Sequence, residues 1–183
     1  MDEYDAASEK IRITGVISQG VYRHVINILK LLADTFQQGL MELPGLEKEV
    51  LVNAAIFHDL GKVQPDLKVG DLVRPEEVFE PGYLHAARGA ALARGIYNLN
   101  PNTVVLIEYH HHAEEGLPGD FPAYLLPMYR FFRLIDGLSA GITRRKAEVK
   151  LRVDGSKIHV VENSPMPRYN RSFVLDLYSG SVT

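Results

Sequence analysis

Six of the seven histidines lie before residue 113, at His24, His58, His85, His110, His111 and His112. The sharpest local feature among them is the pair His58-Asp59, followed by Gly61 and Lys62. A neutral imidazole offers one nitrogen and a carboxylate can bridge two cations, so such a pair suits a metal centre. Neighbours on a helix do not share a face, but at a helix end the second side chain can turn toward a common point. Taken alone, the pair reads equally as a polar helix end whose dipole Lys62 complements. His24 has apolar residues three or four positions away (Val21, Ile28) and Val25 beside it, which points its ring inward. A single inward histidine is ordinarily a hydrogen-bonded core residue. Several at once need many partners, which a metal supplies together. Asp136 lies in the apolar stretch FFRLIDGLSAG, where a carboxylate needs a cation, donors or water. Its alternatives are a metal or an arginine such as Arg133 or Arg23.

These residues need helices to carry them. Apolar residues at Val21, Val25, Ile28, Leu29, Leu32 and Phe36 predict a helix over 19–37. Gly39 and Pro44-Gly45 break it, and a second helix runs from Glu47 to about Leu60, stopping at Gly61. Residues 63–82 carry Pro65, Gly70, Pro75, Pro81 and Gly82, which predicts a long loop with a turn of helix near Pro75–Phe79 and makes the stretch a lid candidate. Alanine-rich residues 84–97 predict a close-packing helix, and Pro101 opens another that reaches His112. A last helix is expected over 122–143, with Pro127 at its start. Beyond Arg144 the pattern alternates: Val149, Leu151 and Val153, a turn at Asp154-Gly155, then Ile158, Val160 and Val161, with a further strand over Phe173–Leu177. The expected fold is mainly α, a helical bundle over residues 1–145 with a small β appendage over 146–183 packed on the same domain. The acidic start, MDEYDAASEK, is expected to fray.

Composition narrows the chemistry. The 183 residues suit one domain with a sizeable core. Absence of cysteine excludes disulfides, thiolate metal sites and thiol nucleophiles, so any metal is held by nitrogen and oxygen. Such ligands suit Mn, Fe, Co, Ni or Zn better than Mg. A formal charge of -3 disfavours a general nucleic-acid coat, although Arg144, Arg145, Lys146, Lys150, Arg152 and Lys157 form a local basic stretch. That stretch either holds a polyanion or is the solvated face of a hairpin. No apolar run spans a membrane and the first residues lack a signal peptide's positive flank, so a cytoplasmic protein without a membrane partner is expected. No feature of the sequence specifies an oligomeric state.

The order His24, His58-Asp59 within AAIFHDLGK, then Asp136, resembles the HD phosphohydrolase superfamily, with His85 and His110 or His111 at its additional positions. The resemblance covers roughly residues 20–145. The segment from His110 to Pro118 resembles the HHExxDGxGYP motif of HD-GYP cyclic-dinucleotide phosphodiesterases, with His112 and Glu115 in place of its first Glu and its Asp. Leu84-His85 through Gly89 resembles that group's HPxxG element. HDLGKVQPDL and tandem His110-His111 resemble the HD nuclease domains of CRISPR effector complexes. The resemblance implies two divalent transition-metal ions, one on His24, His58, Asp59 and Asp136, the other on Asp59, His85, His110 and His111. Asp59 would bridge them, and the paired ions would activate water for attack on a phosphomonoester or phosphodiester. Lys62 is the candidate phosphate contact, joined by Arg144, Arg145, His112 and Glu115 as candidate substrate-binding residues. A small phosphorylated molecule or nucleotide is the expected substrate. A nuclease of single-stranded nucleic acid and a non-catalytic metal- or nucleotide-binding module are the alternatives.

Overall fold

The structure, a computed structural model, describes residues 2–183. Five helices of nine residues or more form the body: α1 (Gly20–Gln37), α2 (Lys48–Phe57), α4 (Gly82–Gly95), α5 (Pro101–Tyr109) and α6 (Leu126–Arg145). The short α3 (Pro75–Val78) sits in the long connection before α4. Ile28, Leu32, Leu51, Leu106, Ile107, Phe131, Phe132 and Ile135 are almost completely buried where these helices meet.

Local sequence accounts for the helix limits. The chain leaves α1 through Gly39, whose φ of +88° favours a residue without Cβ. The side chain of Asn100 accepts from the Asn102 backbone N–H at 2.8 Å, and Pro101 occupies the first turn of α5. α6 runs past the expected end at 143 and stops where Lys146 turns left-handed, φ 55°. Two helices end earlier than their patterns suggest. α2 stops at Phe57, which puts His58 at its C-cap and Asp59 in the following turn. α5 stops at Tyr109, which puts His110 at the C-cap and His111 beyond it.

The expected appendage is a three-stranded antiparallel sheet of β4 (Glu148–Asp154), β5 (Lys157–Asn163) and β6 (Arg171–Asp176). Asp154 pairs with Lys157 across a two-residue turn in which Gly155 has φ +55°. The sheet's inner residues Leu151, Ile158, Val160 and Leu175 join the same apolar cluster as the helices. The edge of β4 is covered by one side chain: Gln38 donates to Leu151 O at 3.1 Å and accepts from Val153 N at 2.9 Å.

The amino-terminal stretch corrects an expectation. It is ordered as β1 (Asp2–Asp5) and β2 (Lys10–Ile13), which recruit β3 (Leu72–Val73) from the long connection into a second sheet. Asp5 holds the hairpin turn by accepting from Ala7 N and Ser8 Oγ, and Ile11 and Ile13 are buried. Four residues of alternation among many charges are too short a pattern to stand out, and the partner strand lies some sixty residues away. The lid candidate is thus partly structured. Among the described residues no helix is long and apolar enough to cross a membrane.

Candidate metal centre

The seven residues placed in the two expected ligand sets converge. His24, His58 and Asp136 form one group and Asp59, His85, His110 and His111 another, with the donor atoms of each group within 4.8 Å of one another. They come from α1, α4 and α6 and from the turns that end α2 and α5. His24 Nε2 lies 2.8 Å from Asp136 Oδ1 and 3.2 Å from His58 Nε2. His85 Nε2 lies 3.2 Å from Asp59 Oδ1 and 2.9 Å from His111 Nε2. Asp59 also stands 3.8 Å from His58 Nε2, which ties the two groups together.

Two glycines permit this approach. A Cβ on Gly61 would stand 2.6 Å from Gly89 N and would overlap the His85 carbonyl, so the turn after Asp59 lies flat on α4. A Cβ on Gly82 would stand 2.7 Å from the His111 ring. Arg88 on α4 reinforces the same contact by donating to Gly61 O and to Glu80. Glu80 then faces His85 Nδ1 at 4.0 Å, and its carboxyl is held below the usual range by Arg88.

The ring nitrogens are divided by role. His58 Nδ1 donates to Ala55 O at 3.0 Å and His110 Nδ1 to Ile107 O at 2.7 Å. These acceptors belong to the last turns of α2 and α5, where carbonyls lack helical partners. His24 Nδ1 faces Ser139 Oγ on α6 at 2.9 Å. Each of these rings therefore turns Nε2 toward the centre. His110 Nε2 is buried with no hydrogen-bond partner among the described residues.

This donor set fits a cation. Neutral imidazole nitrogens and a carboxylate oxygen packed at 2.8–3.5 Å repel unless positive charge is shared among them. The electrostatics of the metal-free site carry the same demand. Burial opposes charge on His58, but hydrogen bonding to Asp136 and the charges of Asp59 and Asp136 outweigh it and raise its pKa. Burial opposes ionisation of Asp59 and Asp136 as well, yet the surrounding histidines, with Lys62 at Asp59, hold both carboxyls well below the usual range. His110 is pushed down to about 3 and His111 to about 4, burial being the main cause in both. Neutral His110 and His111 beside ionised carboxylates match the protonation states that metal coordination requires.

The candidate substrate-binding residues fall in different places. Lys62 is at the centre, its ammonium 2.9 Å from Asp59 Oδ2. His112 packs on Tyr109, and its carbonyl accepts from Tyr129 Oη at 2.6 Å. Glu115 is exposed in a short turn beside Glu114, whose carboxylate is paired with Arg130. Arg145 lies nine residues beyond Asp136, about 13 Å along α6 and on its opposite side. There it pairs with the fully buried Glu162 at 3.0 Å and stacks over Tyr169, while Arg144 is exposed in the same turn. The structure thus places Arg145 against the carboxy-terminal sheet rather than with the histidines. The basic stretch of the sequence is also divided, since Arg152 lies on the outer face of the sheet against His159. Ser139, Glu80 and Arg88 were not singled out from the sequence. Only Ser139 carried a signal, three residues after Asp136 on the same helix face.

Comparison with curated proteins and with solved structures gives no match. A family profile described as HD domain matches residues 21–150, well over half of the chain and the span that contains all seven converging residues. The chain belongs to the HD domain family.

Proposed function

We propose that this chain is a metal-dependent phosphohydrolase acting on a phosphomonoester or phosphodiester of a nucleotide-like molecule, with two divalent ions at the paired donor groups. The observation that carries this reading is the convergence of five histidines and two aspartates into two groups that Asp59 connects. One ion would be held by His24, His58 and Asp136 and the other by His85, His110 and His111, with Asp59 between them. Divalent ions there would polarise a phosphoryl oxygen and activate water as the nucleophile.

The chain's own residues do the rest. Lys62 holds Oδ2 of Asp59 at 2.9 Å, which leaves Oδ1 facing the histidines. Its side chain is 24% exposed, so it can meet an incoming phosphate while still neutralising Asp59. The Phe132 ring packs edge-on against His58 and His110, closing the apolar side of the centre and keeping water from their rings.

The test is elemental analysis of protein purified without chelator, together with Mn2+-dependent hydrolysis of bis-p-nitrophenyl phosphate. About two transition-metal ions per chain are expected, with turnover lost in His58→Ala and Asp59→Ala. Chelation should also lower the melting temperature, since an ion at a hundred times its Kd stabilises the fold by about 2.7 kcal/mol. A protein that takes up no metal and is inactive with every supplement would refute the reading.

A further inference from the structure

We propose that Ser139 is a positioning residue of the metal centre, one that fixes His24 in the tautomer whose Nε2 is free to bind an ion. The inference rests on the metal-dependent reading above and follows from counting protons. Ser139 Oγ lies 2.7 Å from the backbone carbonyl of His24 and 2.9 Å from its Nδ1. A hydroxyl has one hydrogen, and a carbonyl can only accept. That hydrogen therefore goes to His24 O, and only lone pairs remain to face the ring. Nδ1 must be the donor, so in the neutral ring Nε2 carries no proton.

His24 needs this help because of where it stands. His58 and His110 sit at helix C-caps, where unused carbonyls three residues back orient their rings without outside assistance. His24 is the fifth residue of α1, and the carbonyls behind it are engaged in the helix. Its orienting partner has to come from another element, and α6 supplies it from a fully buried position. The competing tautomer is close at hand. With Nε2–H, His24 would donate to Asp136 Oδ1 at 2.8 Å and would leave no lone pair for an ion. Ser139 opposes that arrangement. In metal sites of other proteins, removal of such an orienting partner typically weakens metal affinity 10- to 100-fold.

A merely structural role is separable, because a second hydrogen bond joins the same helices: Asn27 Nδ2 donates to Thr143 Oγ1 at 3.1 Å. The experiment uses the full chain, 15N-labelled, in native, Ser139→Ala, Ser139→Thr and Asn27→Ala forms. Long-range proton-nitrogen spectra of the chelated protein at about pH 9, where free imidazoles are neutral, report the tautomer. Zn2+ affinity is read in parallel by competition with a chromophoric chelator. Native, Ser139→Thr and Asn27→Ala proteins are expected to show Nδ1–H at His24. Ser139→Ala is expected to gain the Nε2–H form and to bind one of its two Zn2+ ions roughly 10- to 100-fold more weakly, the other being unchanged. Retention of Nδ1–H in Ser139→Ala, or Zn2+ affinities matching the native protein, would overturn the assignment. Zn2+ binding by none of the four would instead defeat the metal reading, and the spectra would still decide what Ser139 does to the ring.

Discussion

Acid should destabilise the metal-free protein in a way traceable to His110. This ring is 2% exposed, donates Nδ1 to Ile107 O and is held at a pKa of about 3 in the fold, mainly by burial. In the unfolded chain an ordinary histidine titrates near 6.5. Between these values the unfolded state binds the proton and the folded state does not, so stability falls as pH drops from about 6.5 toward 3. One proton corresponds to about 1.4 kcal/mol per pH unit, or about 3 kcal/mol between pH 6 and pH 4. His58 works in the opposite direction. Its pKa is raised in the fold, so its contribution is present below the unfolded value and lost as pH rises through the folded one. The two carboxylates, both depressed, add stability above about pH 4 that acid removes. Comparing native protein with His110→Gln cancels most of these shared effects. Urea unfolding of chelated samples from pH 4 to pH 7 should show the native protein losing stability relative to His110→Gln as the pH falls, by about one proton's slope. A stability difference that stays flat over that range would refute a neutral, buried His110.

Two further substitutions test the packing that positions the centre. Gly61→Ala places a methyl against the His85 carbonyl and Gly89 N, both main-chain atoms, and should cost about 2 kcal/mol or more in urea unfolding while weakening Zn2+ binding through displacement of α4. Gly116→Ala, where a Cβ meets nothing within 4 Å, serves as the control and should change neither. Glu162→Gln removes the charge shared by Arg145 and Arg171 at 3.0 and 2.7 Å and should destabilise by about 2 kcal/mol, less than a fully buried pair because both arginines reach water. It should leave metal content unchanged, since this ion pair sits on the far side of α6; loss of metal together with stability would contradict that separation.

Part of the candidate centre was legible because four residues carry a signal of their own, His24 on an apolar stripe, the His58-Asp59 pair at a helix end and Asp136 within FFRLIDGLSAG, whereas His85, His110 and His111 were placed by the resemblance. The resemblance then supplied a grouping in which both sets share Asp59; the structure groups Asp59 with His85, His110 and His111, and places it 3.8 Å from His58 Nε2 of the other group. The basic residues were harder to place. Arg144 and Arg145 follow Asp136 closely in sequence, but nine residues of helix turn Arg145 half a revolution away, and its partner Glu162 lies in a strand whose alternation marks it as inward-facing without saying what it meets. The amino-terminal sheet was missed for a related reason, since β2 gains its second neighbour only through the distant Leu72 and Val73.

Ring orientation is a further property that sequence conveys unevenly. For His58 and His110 it is nearly local: a histidine at a helix end finds a free carbonyl three residues back, so recognising the helix end is enough to predict the free nitrogen. Both helices end about three residues before the expected limits, and this early termination is what frees those carbonyls. For His24, within the first turns of α1, orientation depends on Ser139, 115 positions away. The same side chain at the same centre is thus fixed by its own helix in two cases and by a neighbouring element in a third. The position of each histidine along its helix decides which.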